Sequence, residues 1–210
     1  MSNTKEQILI TALHLFAENG YEAVSVSDIA GKLGMTKGAL YRHFKNKRDI
    51  FESLLACMEE NDAKNASEHD VPEDSLSEME EEYQNTSVES LVEFSKAMFR
   101  YWTEDDFASS FRKMLTLEQF RSKEMAELYQ QYLASGPLNY VKDLFSSKGI
   151  KNAEQRAVEF YSPMFFLYSV YDGSPKKEKV LQMADKAIEE SVKDLLTEEK
   201  NNEQRLYNQT

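Results

Sequence analysis

Cysteine, histidine, proline and glycine are all scarce in this chain of 210 residues, which holds one, three, four and seven of them. A single cysteine, Cys57, excludes an internal disulfide and fits a reducing cytoplasm. It falls on an apolar pattern with Phe51, Leu54, Leu55 and Met58, which reads as a small core residue rather than a nucleophile. The histidines, His14, His43 and His69, have neither HExxH nor Cys/His metal spacing. Glycine-rich phosphate loops and the G-x-S-x-G elbow are also missing. The expectation is therefore no enzyme, no metal and no cofactor. No apolar run approaches the roughly 18 residues that span a bilayer, and MSNTKEQ at the start lacks a signal-peptide core. A soluble, cytoplasmic protein without a membrane partner is expected.

Positive charge is scarce too, but unevenly. The chain carries 25 Lys and Arg against 37 Asp and Glu, a net charge of −12. Residues 1–50 hold seven basic side chains (Lys5, Lys32, Lys37, Arg42, Lys45, Lys47, Arg48) and five acidic ones, a balance of +2 that leaves −14 for the remainder. A chain this acidic should be repelled by nucleic acid as a whole, yet its first fifty residues should not.

The length suits one large or two small domains. Strand-like alternation and internal repeats are absent, so the class is all-α, with about nine helices. Thr4 and Gln7 have capping-box spacing ahead of apolar Ile8, Ala12, Leu15 and Phe16, and Gly20 stops that helix. A long helix starts near Lys47. Residues 59–89 hold twelve acidic residues and one lysine, and 66–85 reads as a solvated loop or frayed helix ends. Helical periodicity resumes at Val88, with Leu91, Phe94, Met98 and Trp102 on one stripe. Phe107, Phe111, Met114 and Leu115, with Glu118 at their end, form another. Gly136-Pro137 demands a kink or a break. Two last helices, 152–171 and 176–196, are hinged at 172–175, and 201–210 reads as a frayed tail.

One stretch, residues 25–51 (SVSDIAGKLGMTKGALYRHFKNKRDIF), has a spacing that points to a specific use. Ser25 and Asp28 form a capping-box start, Ile29, Ala30 and Leu33 supply an apolar face, and Gly34 ends the helix. Thr36 can cap the next helix, 37–44. Two short helices about a glycine turn set a recognition helix into the DNA major groove. Ala39, Leu40 and Phe44 face inward at helical spacing, which leaves Thr36, Lys37, Gly38, Tyr41, Arg42 and His43 for another surface.

These residues resemble the TetR family of transcriptional regulators. The resemblance runs through 8–20, Tyr21, Val26, Asp28-Ile29-Ala30, Gly34, 37–41, His43-Phe44, Lys47 and Ile50-Phe51. It covers about the first fifty residues; beyond them only length and helical character are shared. It implies a three-helix DNA-binding head over 1–48 and a larger helical body over 49–200 that binds an effector and dimerises. The DNA contacts implied are Ser27, Thr36, Lys37, Gly38, Tyr41, Arg42, His43 and Lys47. Lys37 and Arg42 can donate to guanine edges, and Arg42 suits phosphate equally well. Tyr41, His43 and Lys47 are assigned to phosphate or sugar, although Tyr41 could pack in the core and His43 could cap a helix.

A palindromic double-stranded operator read by a homodimer follows from the resemblance. The apolar pattern of the last two helices offers Phe160, Met164, Tyr168, Tyr171, Leu181, Ala184, Ile188 and Val192 as the interface, unless they only close the monomer's own core. An aromatic- and methionine-rich stretch offers Phe94, Met98, Trp102, Phe107, Phe111, Met114, Tyr129 and Tyr132 as walls of a pocket for a hydrophobic or amphipathic effector, or else as plain core. Acidic Glu104, Asp105, Asp106 and Glu118 would suit a cation, or simply mark solvated charge and a helix start. The implied function is a repressor released from DNA by its effector. The alternative is a constitutive DNA-binding regulator with no effector.

Overall fold

The structure, a computed structural model, describes residues 4–69, 71–72 and 75–195. Every regular element among these residues is a helix, and there are eleven of them rather than about nine. In chain order they are α1 (Thr4–Asn19), α2 (Val26–Lys32), α3 (Lys37–Leu40), α4 (Lys47–Glu68), α5 (Glu80–Asn85) and α6 (Val88–Glu104). Then come α7 (Asp106–Glu118), α8 (Lys123–Leu133), α9 (Ser135–Ser147), α10 (Ala153–Gly173) and α11 (Lys177–Ser191). The expected tail at 201–210 lies outside the described residues. Thr4, expected as a cap, is itself helical.

The two additional helices have identifiable causes. One, α5, forms inside the acidic stretch expected to be loop, because Tyr83 is buried there at 2% exposure and its ring meets Tyr140 of α9. The other comes from the break between α8 and α9. That break falls at Ala134, whose backbone is far from helical (φ −129°, ψ −93°), and not at the proline. Pro137 instead sits in the first turn of α9, where a missing N–H costs no intrahelical bond. Pro163, which suggested no break, lies inside a continuous α10.

The chain forms two compact units. One comprises the residues up to Asn65 together with Glu104–Tyr132, which takes in α1, α2, α3, α7, most of α4 and most of α8. In it α1 packs on α7 and α2, and α2 packs on α3. Ile8, Leu13, Phe16, Ile29, Leu40, Phe44, Ile50, Phe51, Phe111 and Met114 make its core. In this unit α7 packs on α1 and adds Phe111 and Met114 to its core.

The other unit comprises Ala66–Thr103 and the chain from Leu133 onward. Here α10 packs against both α9 and α11, and α5 lies on α9. Phe99 of α6 stacks on Tyr168 of α10 with ring centres 5.0 Å apart, and Phe145 of α9 meets Phe160 of α10 edge-on. Polar ties line the rim. Arg100 holds Asp185 of α11 through two hydrogen bonds of 2.8 and 2.6 Å, and Lys96 reaches Glu189 at 2.7 Å.

Candidate nucleic-acid interface

The reading surface is assembled by local hydrogen bonds that the sequence names one by one. Ser25 starts α2: its hydroxyl accepts from the Asp28 N–H, and the Asp28 carboxylate accepts in return from the Ser25 N–H at 2.8 Å. That pairing holds the Asp28 carboxyl below its ordinary pKa, first through the Ser25 hydroxyl and then through its amide. Gly34 closes α2 at φ +64°; its N–H donates to the Gly31 carbonyl and the Met35 N–H to that of Ala30, the two bonds of a Schellman end. The Thr36 hydroxyl then accepts from the Ala39 N–H at 3.1 Å to open α3.

The recognition helix is shorter than its pattern suggested. It keeps α-helical form for only Lys37–Leu40; Arg42 and His43 then donate to the carbonyls of Ala39 and Leu40, three residues back, in a tightened last turn. Leu40 and Phe44 are buried beneath it, as expected. Ser27, Thr36, Lys37, Gly38, Tyr41, Arg42 and His43 all remain exposed. Tyr41 is thereby excluded from the core; its ring lies beneath the Lys37 ammonium, 5.7 Å from its centre. With no side chain, Gly38 leaves the surface low where a nucleic-acid backbone would approach.

Two cations make contacts within the chain. Lys47, assigned to phosphate, turns inward: its ammonium donates to the Tyr21 carbonyl at 2.8 Å and the Glu22 carbonyl at 3.3 Å, and lies 4.2 Å from the centre of the Tyr21 ring. Backbone carbonyls about 26 residues upstream outcompete solvent for it because the site is partly dry. Arg48 makes a bidentate pair with Glu124 of α8 at 2.7 and 2.6 Å and also donates to Glu52. Those hydrogen bonds push the Arg48 pKa upward and the Glu124 pKa downward. No sequence pattern pairs Arg48 with a residue 76 positions away.

The expected pocket residues fall in both units. Phe94, Met98 and Trp102 belong to the second; Phe107, Phe111, Met114, Tyr129 and Tyr132 belong to the first. Phe111 and Met114 are fully buried, with Phe107 stacked on Phe111 and Tyr132 edge-on to it. Trp102 is buried as Leu91 is, while Phe94 and Met98 are half-buried, since α6 turns Val92, Ser95 and Phe99 inward between them. Tyr140, which no apolar stripe in the sequence singled out, joins Phe94 and Tyr83 in an aromatic group with His69. Its hydroxyl is buried without a hydrogen-bond partner, and burial pushes its pKa up.

The apolar pattern of the last two helices falls inside the single chain. Phe160, Met164, Tyr168, Tyr171, Leu181, Ala184, Ile188 and Val192 are each buried within the single chain. They close its own core, because that side of α10 and α11 faces α9, α6 and each other. The large apolar side chains left exposed on these helices are Val158 at 38%, Phe165 at 43%, Phe166 at 66% and Met183 at 45%. Helical periodicity identified the apolar side but not a second, smaller one.

Residues 8–54, which contain α1 to α3 and the start of α4, match the family described as bacterial regulatory proteins, tetR family. Over that segment the chain is similar to the TetR family. Among TetR-family relatives, the Tn10 TetC protein of Escherichia coli is 47% identical over 55 residues, 26% of each chain. The transcriptional regulator AcrR of Shigella flexneri is 41% identical over 58 residues, 28% of this chain and 27% of its own. The matched segment thus spans about a quarter of each relative's length. The fold is shared with the solved SmeT–triclosan complex: TM-score 0.66, 16% identity, 91% of this chain and 90% of that one. Among the described residues no helix is long and apolar enough to cross a membrane.

Proposed function

We propose that this chain is a sequence-specific, DNA-binding transcriptional regulator and not an enzyme. In this reading it acts in the cytoplasm as a homodimer on a palindromic operator, and represses until a small hydrophobic or amphipathic effector releases it. The observation that carries the DNA-binding reading is the α2–α3 surface. Its caps and buried Leu40 and Phe44 fix a short helix whose outward side chains are Thr36, Lys37, Tyr41, Arg42 and His43. Lys37 and Arg42 can reach guanine edges, while Ser27, Tyr41 and His43 suit phosphate or sugar. Lys47 is partly buried on the Tyr21 carbonyl, whereas Arg48 stays at the surface in its pairs with Glu52 and Glu124. Residues 1–48 would do the reading and 49–200 the sensing and pairing.

Dimerisation is supported by exposed apolar surface. Val158, Phe165 and Phe166 repeat at seven and eight residues, so they share one face of α10, and Met183 stands on α11 packed beside it. A contiguous apolar face of this kind is what a two-fold helix pair covers. The effector reading draws on the aromatic group of Phe94, Tyr83 and Tyr140 with its orphan hydroxyl, and on the likeness to a fold captured with triclosan. The tight packing of Phe111 and Met114 favours the alternative, a constitutive regulator without an effector.

The test is selection of genomic fragments by the purified chain, with a footprint on those recovered. A protected palindrome that releases the protein on addition of a lipophilic extract supports the full reading. A palindrome indifferent to every extract leaves the constitutive binder, and failure to select any fragment refutes DNA recognition.

A further inference from the structure

The head is held by a buried carboxylate that its own sequence does not contain. Glu118, at the end of α7, is 1% exposed. Its Oε1 accepts a hydrogen bond of 3.0 Å from the N–H of Tyr21, 97 residues earlier, in the turn between α1 and α2. The Arg121 guanidinium lies 3.4 Å from the same oxygen, whereas Oε2 is buried with no hydrogen-bond partner. Burying a carboxylate is costly, and an amide or aliphatic side chain of that size would pack at less cost. A buried polar atom left unpaired in a native protein calls for a reason beyond packing.

The turn is shaped to receive that carboxylate. Gly20 has φ +85°, and a Cβ at this position would lie 2.5 Å from Glu118 Oε1. Any other residue would displace the carboxylate as well as strain the backbone. Tyr21 is gripped from its other side as well: Lys47 of α4 binds its carbonyl and covers its ring, which also packs against Phe16 and Phe51 at 5.0 and 5.1 Å. Helices α1, α4 and α7 therefore meet at one residue, Tyr21, and shortly beyond it Ser25 starts α2.

We propose that Glu118 is a positioning residue for DNA reading: from α7 it sets the angle at which α2 and α3 leave the α1–α2 turn. This rests on the DNA-binding reading above. Glu118 touches no DNA itself; it acts through Tyr21.

The test uses the full chain and two probes, a genomic fragment selected by the unaltered protein and random calf-thymus DNA. Glu118→Leu removes the acceptor and leaves the Tyr21 amide buried and unpaired. Glu118→Asp keeps the charge but is too short to reach, and it serves where the leucine variant fails to fold. Glu118→Gln keeps an acceptor and should rescue in part. Either disruptive variant is expected to lose affinity for the selected fragment by roughly ten-fold or more, with calf-thymus binding unchanged and Glu118→Gln intermediate. Equal affinity of the disruptive variants and the parent for the selected fragment overturns the proposal. A parallel fall on both probes that tracks the thermal midpoint also overturns it, because that is loss of fold and not of position. If the unaltered protein selects no fragment, the DNA-binding reading has failed instead.

Discussion

Asp62, on α4, carries a carboxyl whose environment opposes its ionisation, and replacing it by asparagine should stabilise the protein at neutral pH. Burial raises its pKa first, the neighbouring Glu59 adds to this, and the result is about 6 against an ordinary 3.8. The sign follows from proton counting. Between those two values the folded chain holds a proton that the unfolded chain has released, so stability falls as pH rises from about 4 to 6 and stays reduced above that. Roughly two pH units at ~1.4 kcal/mol each set a ceiling near 3 kcal/mol, and partial solvent contact of the side chain brings this to about 2 kcal/mol. Asp62→Asn removes the charge at constant shape. Urea melts followed by circular dichroism should therefore show the variant about 2 kcal/mol more stable at pH 7.5, a midpoint gain near 1 M for a slope of about 2 kcal/mol/M. At pH 4 the gain should vanish. A gain of equal size at both pH values, or none at pH 7.5, would refute the reasoning.

Other consequences are as direct. Lys37→Ala should weaken operator binding by about 1–3 kcal/mol and relax preference at one base position, read by competition among fragments with single-base changes. Phe166→Glu combined with Phe165→Glu should convert a dimer to a monomer in sedimentation equilibrium while leaving the helical circular dichroism intact, since both rings are already exposed in the single chain. Phe44→Ala, beneath the reading surface at 2% exposure, should cost about 3–5 kcal/mol of stability, measured by urea denaturation, and lower DNA binding through loss of fold.

The sequence spoke clearly where a few neighbouring residues settle the structure between themselves. Ser25 with Asp28, Gly34 and Thr36 each control a bond to a near neighbour, and all appear as read. It spoke ambiguously where the decision belongs to a distant partner. Periodicity marked Tyr168 and Ile188 as apolar-side residues without saying that the covering surface belongs to the same chain. It placed Phe94 and Met98 on one stripe with Leu91 and Trp102; α6 buries those two ends as read, but between them it buries Ser95 and Phe99. Lys47 looked like a surface cation because nothing nearby announces the Tyr21 carbonyl. Glu118 stood at the end of an apolar stripe, and that position was the signal for its burial; its partner 97 positions away had none.

The packing of α1 on α7 gives the head a boundary that is not continuous in sequence. The segment matching the family ends at residue 54, yet the helix that completes its core begins at Asp106. A head cut out at residue 54 would expose the α1 face that Phe111, Met114 and Leu115 cover, so it is not a portable cassette. Chimaeras that exchange heads between regulators must carry α7 with them, or match its inward face to the incoming α1. The freedom to exchange one sensor body for another therefore stops at that face.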